Sequence, residues 1–243
     1  MRIAVINMSG GVGKTTLAAY LLRPRMAEDV PFFAVESINR SADDLGVDNV
    51  QKFRGRDFGS LYESLMIEDN AIVDVGASNI EAFFDAARRF TGGTQEIDLY
   101  LIPTPPDGKY ITESIETARK LIGLGVAPTQ IRFILNRVPR EMSDDIKTIY
   151  DQLFQFARHQ KTPNMVSTHL TIFADPLFED LASVGLSLED LLSDEHDYRA
   201  MARAEADPEK RKAHTSMRRM ISQAGPLKGE LDTVYSKLLP AVA

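Results

Sequence analysis

Short apolar, β-branched runs alternate along the chain with segments in which apolar residues recur every three or four positions. The runs Arg2–Asn7, Phe32–Glu36, Ala71–Val75, Asp98–Pro103 and Ile131–Asn136 have too few polar residues to leave one face in water, which predicts buried parallel strands. Met165–Phe173 is a candidate for one more. Ile80, Phe83, Phe84 and Ala87 form one helical stripe; Ile111, Ile115, Ala118 and Ile122 form a second. Ile146, Ile149, Leu153 and Phe156 form a third, with Ser143 placed as its N-cap. Leu177–Leu192 reads as two short helices around Gly185, and Pro24 ends or kinks a first helical pattern that runs from Leu17 to Leu22. Strand–helix alternation predicts βαβ crossovers, hence an α/β fold whose mostly parallel sheet is covered by helices on both faces.

After Ser193 the pattern changes to charged, Ala- and Met-rich sequence poor in β-branched residues. We therefore divide the chain into a sheet domain, residues 1–195, and a helical C-terminal extension, residues 196–243. The net charge of −7 is uneven: the extension carries +3, which leaves −10 on the sheet domain. The run Lys210-Arg211-Lys212-Ala213-His214-Thr215-Ser216-Met217-Arg218-Arg219 holds five bases and no acid. It is a candidate for following a DNA backbone, against the alternative of a solvated helix face, which the lack of interleaved aromatics favours. Leu227, Leu231, Val234, Leu238 and Leu239 form a terminal apolar stripe suited to packing on the domain or on a partner chain rather than on a membrane.

The chain contains no Cys, which excludes disulfides, Cys-ligated zinc, iron–sulfur clusters and a thiol nucleophile. His159, His169, His196 and His214 show no metal spacing. The apolar run Ile3–Ile6 is shorter than the ~7–15 residues of a secretory core, and nothing approaches the ~18 apolar residues of a membrane span. The expectation is a soluble, cytoplasmic protein without membrane attachment.

The chemistry concentrates in Asn7-Met8-Ser9-Gly10-Gly11-Val12-Gly13-Lys14-Thr15-Thr16, which follows the first strand and opens the first helical pattern. This is the setting of a phosphate-cradling loop. Gly10, Gly11 and Gly13 let backbone N–H groups, Val12 among them, turn inward without a Cβ in the way. The helix start behind them adds donors and partial positive charge. Lys14 can reach the β- and γ-phosphates, the Thr15 hydroxyl can ligate Mg²⁺, and Thr16 can bond the α-phosphate. Ser9 reads as a further ligand rather than a nucleophile.

Asp74, in Ala71-Ile72-Val73-Asp74-Val75-Gly76-Ala77-Ser78, stands at the end of a hydrophobic strand, where an acid can hold Mg²⁺ directly or through water. Gly76 can offer its N–H to the γ-phosphate. Lys14 and Asp74 are the candidate catalytic residues, and Thr15 and Asp74 the candidate metal ligands. The expected cofactors are ATP, with ADP as its product, and Mg²⁺.

The strict G-x-x-x-x-G-K-[ST] pattern is broken by Met8. Gly-Gly-Val-Gly-Lys-Thr-Thr instead resembles the ParA/MinD family of deviant-Walker P-loop ATPases, over roughly residues 1–190. Val-Ile-Asn-Met-Ser-Gly-Gly-Val-Gly-Lys-Thr-Thr and Ile-Val-Asp-Val-Gly-Ala-Ser-Asn look most like StbB-type plasmid-stability proteins within it. The resemblance implies a P-loop NTPase fold, an ATP-dependent homodimer and a role in plasmid stability, segregation or conjugative transfer with a protein partner. It also implies that Asn136 and Arg137 read the adenine edge, with Asp175-Pro176 as a second base-contacting loop.

Two departures bear on catalysis. The family carries a signature Lys before the glycine pair, where this chain has Ser9. It also carries Asp-x-Asp after the second strand. Here Glu36 stands for the first acid and Ile38 for the second, with Asn39, Asp43 or Asp44 as candidate substitutes. Both changes predict tight ATP·Mg²⁺ binding with slow or partner-activated hydrolysis. Two other functions remain open on this sequence: an ATP-dependent ligase or kinase, and a module that holds nucleotide without cleaving it.

Overall fold

A computed structural model describes residues 1–26, 29–36, 45–90 and 92–238. Ile38, Asn39, Asp43, Asp44 and Leu239 lie outside the described residues.

Seven parallel strands form one sheet in the order β3-β2-β4-β1-β5-β6-β7. They are β1 (Arg2–Ile6), β2 (Phe32–Val35), β3 (Val50–Phe53), β4 (Ala71–Val75), β5 (Leu99–Thr104), β6 (Ile131–Val138) and β7 (Val166–Phe173). The five expected strands and the candidate sixth are all present. β3, a short edge strand, is an addition to them: Gln51 and Lys52 at its centre are exposed, so its sequence has no apolar run.

Side chains alternate across the strands and so supply two cores. Ala4 and Ile6 of β1 face one side, with Val73, Tyr100 and Phe133. On that side pack α2 (Phe58–Met66), α3 (Ile80–Ala87), α4 (Gly108–Gly123), α5 (Ile146–Ile149) and α6 (Asp151–His159). Ile3 and Val5 face the other side, with Phe32, Ile72 and Leu101. There lie α1 (Lys14–Leu17), α7 (Leu177–Val184), α8 (Leu188–Ser193) and the long terminal helix α10 (Pro208–Ser236), to which α9 (Tyr198–Ala204) is joined. The α/β sheet with helices on both faces and a C-terminal helix is thus as expected.

Local chemistry sets the boundaries. Asp107 caps α4 by accepting from the Lys109 N–H, and Asp207 caps α10 by accepting from Glu209 and Lys210 ahead of Pro208; in each case the carboxylate satisfies amides that have no intrahelical partner. Gly185, at φ 66°, ends α7 in the left-handed conformation that glycine takes without strain. Ser143 is not a cap. It lies inside a 3₁₀ segment, Arg140–Asp145, and the helix begins only at Ile146 and breaks at Tyr150.

α1 starts at Lys14, three residues before the expected Leu17, and widens after Leu17 into a π-helical turn, Ala18–Leu22, and then a 3₁₀ turn, Arg23–Arg25. Pro24 has no N–H to give to the Tyr20 carbonyl four residues back. The Arg25 guanidinium donates there instead, at 2.8 Å.

In the tail, Met220, Ala224, Leu227, Leu231, Val234 and Leu238 are buried in the second core, so that half of α10 is a layer of the sheet domain. No helix among the described residues is long and apolar enough to cross a membrane.

Candidate functional site

The strands end on one rim, and over it runs a cleft of about 750 Å³ lined at one end by the loop residues Gly10, Gly11, Gly13, Lys14, Thr15 and Thr16. The loop is rigidly framed. Asn7 is fully buried; its Nδ2 donates to the Pro103 carbonyl (2.9 Å) and to Ser114 Oγ (2.8 Å), and its Oδ1 accepts from the Ser9 N–H (2.8 Å). The Met8 N–H donates to Thr117 Oγ1 at 3.1 Å. Gly11 (φ 71°) and Gly13 (φ 87°) sit in the left-handed region, where a side chain would be strained. A Cβ on Gly13 would also stand 2.6 Å from Asn136 Nδ2.

Lys14 is buried and folds back over this loop, donating to the carbonyls of Asn7 (3.0 Å) and Ser9 (2.6 Å). Burial pushes its ammonium down to about 8, against the pull of the Asp74 charge. Asp74, at the end of β4, is 4% exposed. Burial raises its carboxyl to about 6, opposed by a hydrogen bond from the Thr15 hydroxyl and by Lys14. Its Oδ1 is buried without a hydrogen-bond partner among the described residues.

The two expected metal ligands, Thr15 and Asp74, therefore meet in space, and the acid brings an unmatched oxygen. An anionic oxygen beside a hydroxyl suits Mg²⁺, a hard cation that takes oxygen ligands. Glycine-lined amides and an ammonium beside them suit a polyphosphate. The residues present fit both groups.

Asn136 and Arg137 lie near the end of β6 and line the cleft. Their side chains brace the loop: Asn136 Nδ2 donates to the Val12 carbonyl and Arg137 Nη1 to the Gly11 carbonyl, both at 2.8 Å. Arg137 does so from φ 56°, a backbone conformation that a non-glycine residue holds only where its surroundings fix it. Gly76 lines the cleft near Glu36, and its N–H is engaged by the Val35 carbonyl at 2.9 Å. Val12 is fully buried. Asp175 and Phe178 also line the cleft, whereas Pro176 between them, at the start of α7, does not. Ser9 is buried with its hydroxyl hydrogen-bonded to the Glu113 carboxylate of α4.

The sequence did not point to Asn7, Glu113, Ser114 or Thr117 as loop supports. The available signal was polar Ser114 and Thr117 on the apolar face of α4, both fully buried. In the basic run, Arg211 donates to the Glu205 carbonyl and Arg219 pairs with Asp180 at 2.9 Å, so two of the five bases are engaged within the chain. His196 pairs with Asp194 at 2.6 Å. No group of three or more metal-ligating side chains of the His/Cys/Asp/Glu type occurs among the described residues.

A parallel sheet whose first strand runs through a glycine loop into a helix, with an acid at the adjacent strand's end, defines a P-loop NTPase-like α/β fold. No protein-family model matches the sequence, and no curated protein does.

Solved structures do match it. MinD of Aquifex aeolicus in the MinC:MinD cell division complex is 17% identical, with a TM-score of 0.54 over 94% of this chain and 96% of that one. MinD of the same organism alone is 16% identical, with a TM-score of 0.52 and the same coverage. A point variant of Cyanothece McdA, in complex with ATP, is 17% identical, with a TM-score of 0.50 over 91% of this chain and 96% of that one. At such identities the likeness establishes the shared fold.

Proposed function

We propose that the protein is a nucleotide-switched ATP-binding protein of the ParA/MinD type that takes ATP with Mg²⁺ and hydrolyses it slowly or on partner contact. The observation that carries this reading is the meeting of Thr15 with Asp74 beside the glycine loop, where one Asp74 oxygen is buried and unmatched. The similarity in fold to McdA, solved as an ATP complex, supports it.

In this reading the N–H groups of Gly11 to Thr16 and the Lys14 ammonium grip the phosphates. Lys14 exchanges its loop carbonyls for phosphate oxygens, and a more anionic partner favours its charged form. Thr15 and Asp74 hold Mg²⁺, which supplies neutralisation of charge on the β- and γ-phosphates. Gly76 reports γ-phosphate by a change of its N–H partner from Val35. Asn136 and Arg137 fix the loop, and with Asp175 they border the adenine.

Ser9 favours slow turnover. It is neutral and already occupied by Glu113, so it brings no cation to the developing charge. The same observation favours, as a second reading, a module that retains nucleotide without cleaving it. The wider role is plasmid stability, segregation or transfer of the StbB type. It would be exerted by residues 1–195 as an ATP-dependent homodimer in the cytoplasm, acting on a protein partner, with the 210–219 run of the 196–243 extension on DNA.

Titration calorimetry with ATP, with and without Mg²⁺, on wild type and Lys14→Ala tests the binding reading. Magnesium-dependent heat in the wild type and none in the variant is the expected result; no heat in the wild type refutes it. Oligomeric state with ATP, with ADP and without nucleotide tests the switch, and a single-turnover assay separates slow hydrolysis from none.

A further inference from the structure

The strand end that becomes the phosphate loop is tied, residue by residue, to one turn of α4. Asn7 Nδ2 donates to Ser114 Oγ at 2.8 Å, the Met8 N–H to Thr117 Oγ1 at 3.1 Å, and the Ser9 hydroxyl to the Glu113 carboxylate. Positions 113, 114 and 117 of a helix are neighbours on its surface, so a single ridge of α4 meets the loop.

Apolar packing does not account for that ridge. Asn7, Thr104, Ser114 and Thr117 are each 0% exposed, beside the buried Ile111, Ile115, Ala118 and Leu121 of the same helix. The ridge is braced from behind: Ser114 Oγ lies 2.9 Å from Thr104 Oγ1, and the Thr104 carbonyl accepts from the Tyr150 hydroxyl at 2.9 Å. The Thr117 hydroxyl donates to the Glu113 carbonyl at 2.8 Å, which leaves its oxygen as the acceptor for Met8. Matched throughout, a buried polar network rigidifies its surroundings and specifies one arrangement of them.

What this network fixes is the seat of Lys14. The ammonium rests on the carbonyls of Asn7 (3.0 Å) and Ser9 (2.6 Å), the residues on either side of Met8. Asn7 Oδ1 joins the two by accepting from the Ser9 N–H at 2.8 Å. Any displacement of Asn7 or Met8 from α4 therefore moves the carbonyls that hold the ammonium.

We propose that Ser114 and Thr117 are positioning residues of the phosphate site: through Asn7 and Met8 they set the path of the loop, and so the place from which Lys14 meets a polyphosphate. This rests on the proposed ATP-binding function and deepens it, because it concerns the phosphate chain and not the base.

The test sets shape against hydroxyl at position 117. Thr117→Val keeps the shape and leaves the buried Met8 N–H without its acceptor; Thr117→Ser keeps the acceptor and loses a methyl. In calorimetry with Mg²⁺, Thr117→Val should bind tripolyphosphate and ATP about tenfold more weakly than wild type, and Thr117→Ser within about twofold of it. A packing role alone ranks the two variants the other way. Ser114→Ala gives a second case if Thr117→Val does not fold, with about threefold weaker binding of both ligands.

Nitrogen-15 NMR of the Lys14 ammonium in the ligand-free protein is the direct readout. Its signal should be alike in wild type and Thr117→Ser and displaced in Thr117→Val and Ser114→Ala. Wild-type affinity in Thr117→Val and Ser114→Ala, weaker binding by Thr117→Ser than by Thr117→Val, or an unmoved Lys14 signal overturns the proposal while leaving the phosphate site intact. A wild type that binds neither ligand removes the ATP-binding reading itself.

Discussion

Asp74 carries a charge that its surroundings oppose. Burial raises its carboxyl to about 6 even after the Thr15 hydroxyl and Lys14 ammonium have returned part of what water would give. A buried carboxylate in this state is held for what it binds, at the expense of stability. Replacing it with Asn keeps the shape and removes the charge. We expect metal-free Asp74→Asn to be more stable than wild type by on the order of 1–2 kcal/mol, the gain being trimmed by the lost attraction to Lys14. The same variant should lose the magnesium dependence of ATP binding; parallel melts in EDTA and calorimetry check both halves. Gly13 has the opposite character. Gly13→Ala places a methyl 2.6 Å from Asn136 Nδ2 at φ 87°, which should detach Asn136 from the Val12 carbonyl, destabilise the fold by more than about 1 kcal/mol and abolish nucleotide binding. The loop and Asp74 were legible because their chemistry is packed into consecutive residues at a strand end. The supports were not: Asn7 meets Ser114 across 107 positions and Ser9 meets Glu113 across 104, and a local pattern carries no trace of such pairs.

Elements were legible in proportion to how much apolar surface they bury. β1, β4 and β5 are covered on both faces and announce themselves as unbroken runs. β3 is an edge strand with exposed Gln51 and Lys52, and charged residues there are how sheets keep edges from pairing further. α2 buries Phe58, Leu61 and Leu65, a stripe too short to stand out beside exposed Met66 and Ile67. The junction between α8 and α9 carries a prediction of its own. Asp194 accepts from the His196 backbone N–H and the Tyr198 hydroxyl and pairs with the His196 ring. These bonds, the His196 backbone bond first, hold its carboxyl down at about 2 against an ordinary 3.8. A depressed folded value means that its support of the junction is complete above the ordinary value and is lost as pH falls through the folded one. Carbon-13 titration of the Asp194 carboxyl should give a midpoint near 2; a midpoint at the ordinary value would show the bonds to be absent in solution.

At the scale of the whole molecule, the cleft sits where the two cores meet. β1 sends Ile6 into one core and Val5 into the other, and its end becomes the phosphate loop. α4 grips that loop from one face through Ser114 and Thr117, while on the other face Arg25 ties α10 to the helical turn that continues α1. A ligand that locks the loop therefore ties both layers together, and its binding free energy belongs to the stability of the entire chain. At ATP·Mg²⁺ concentrations about a hundredfold above the dissociation constant, linkage adds about 2.7 kcal/mol. For a chain of this size each kcal/mol moves the midpoint by roughly 2–4 °C, so wild type should melt roughly 5–10 °C higher with ligand, in a single transition seen alike by near- and far-ultraviolet circular dichroism. Lys14→Ala should show no such shift. If α10 melted first and only the remaining transition moved with ligand, the C-terminal helix would be a separate cooperative unit that the ligand does not stabilise.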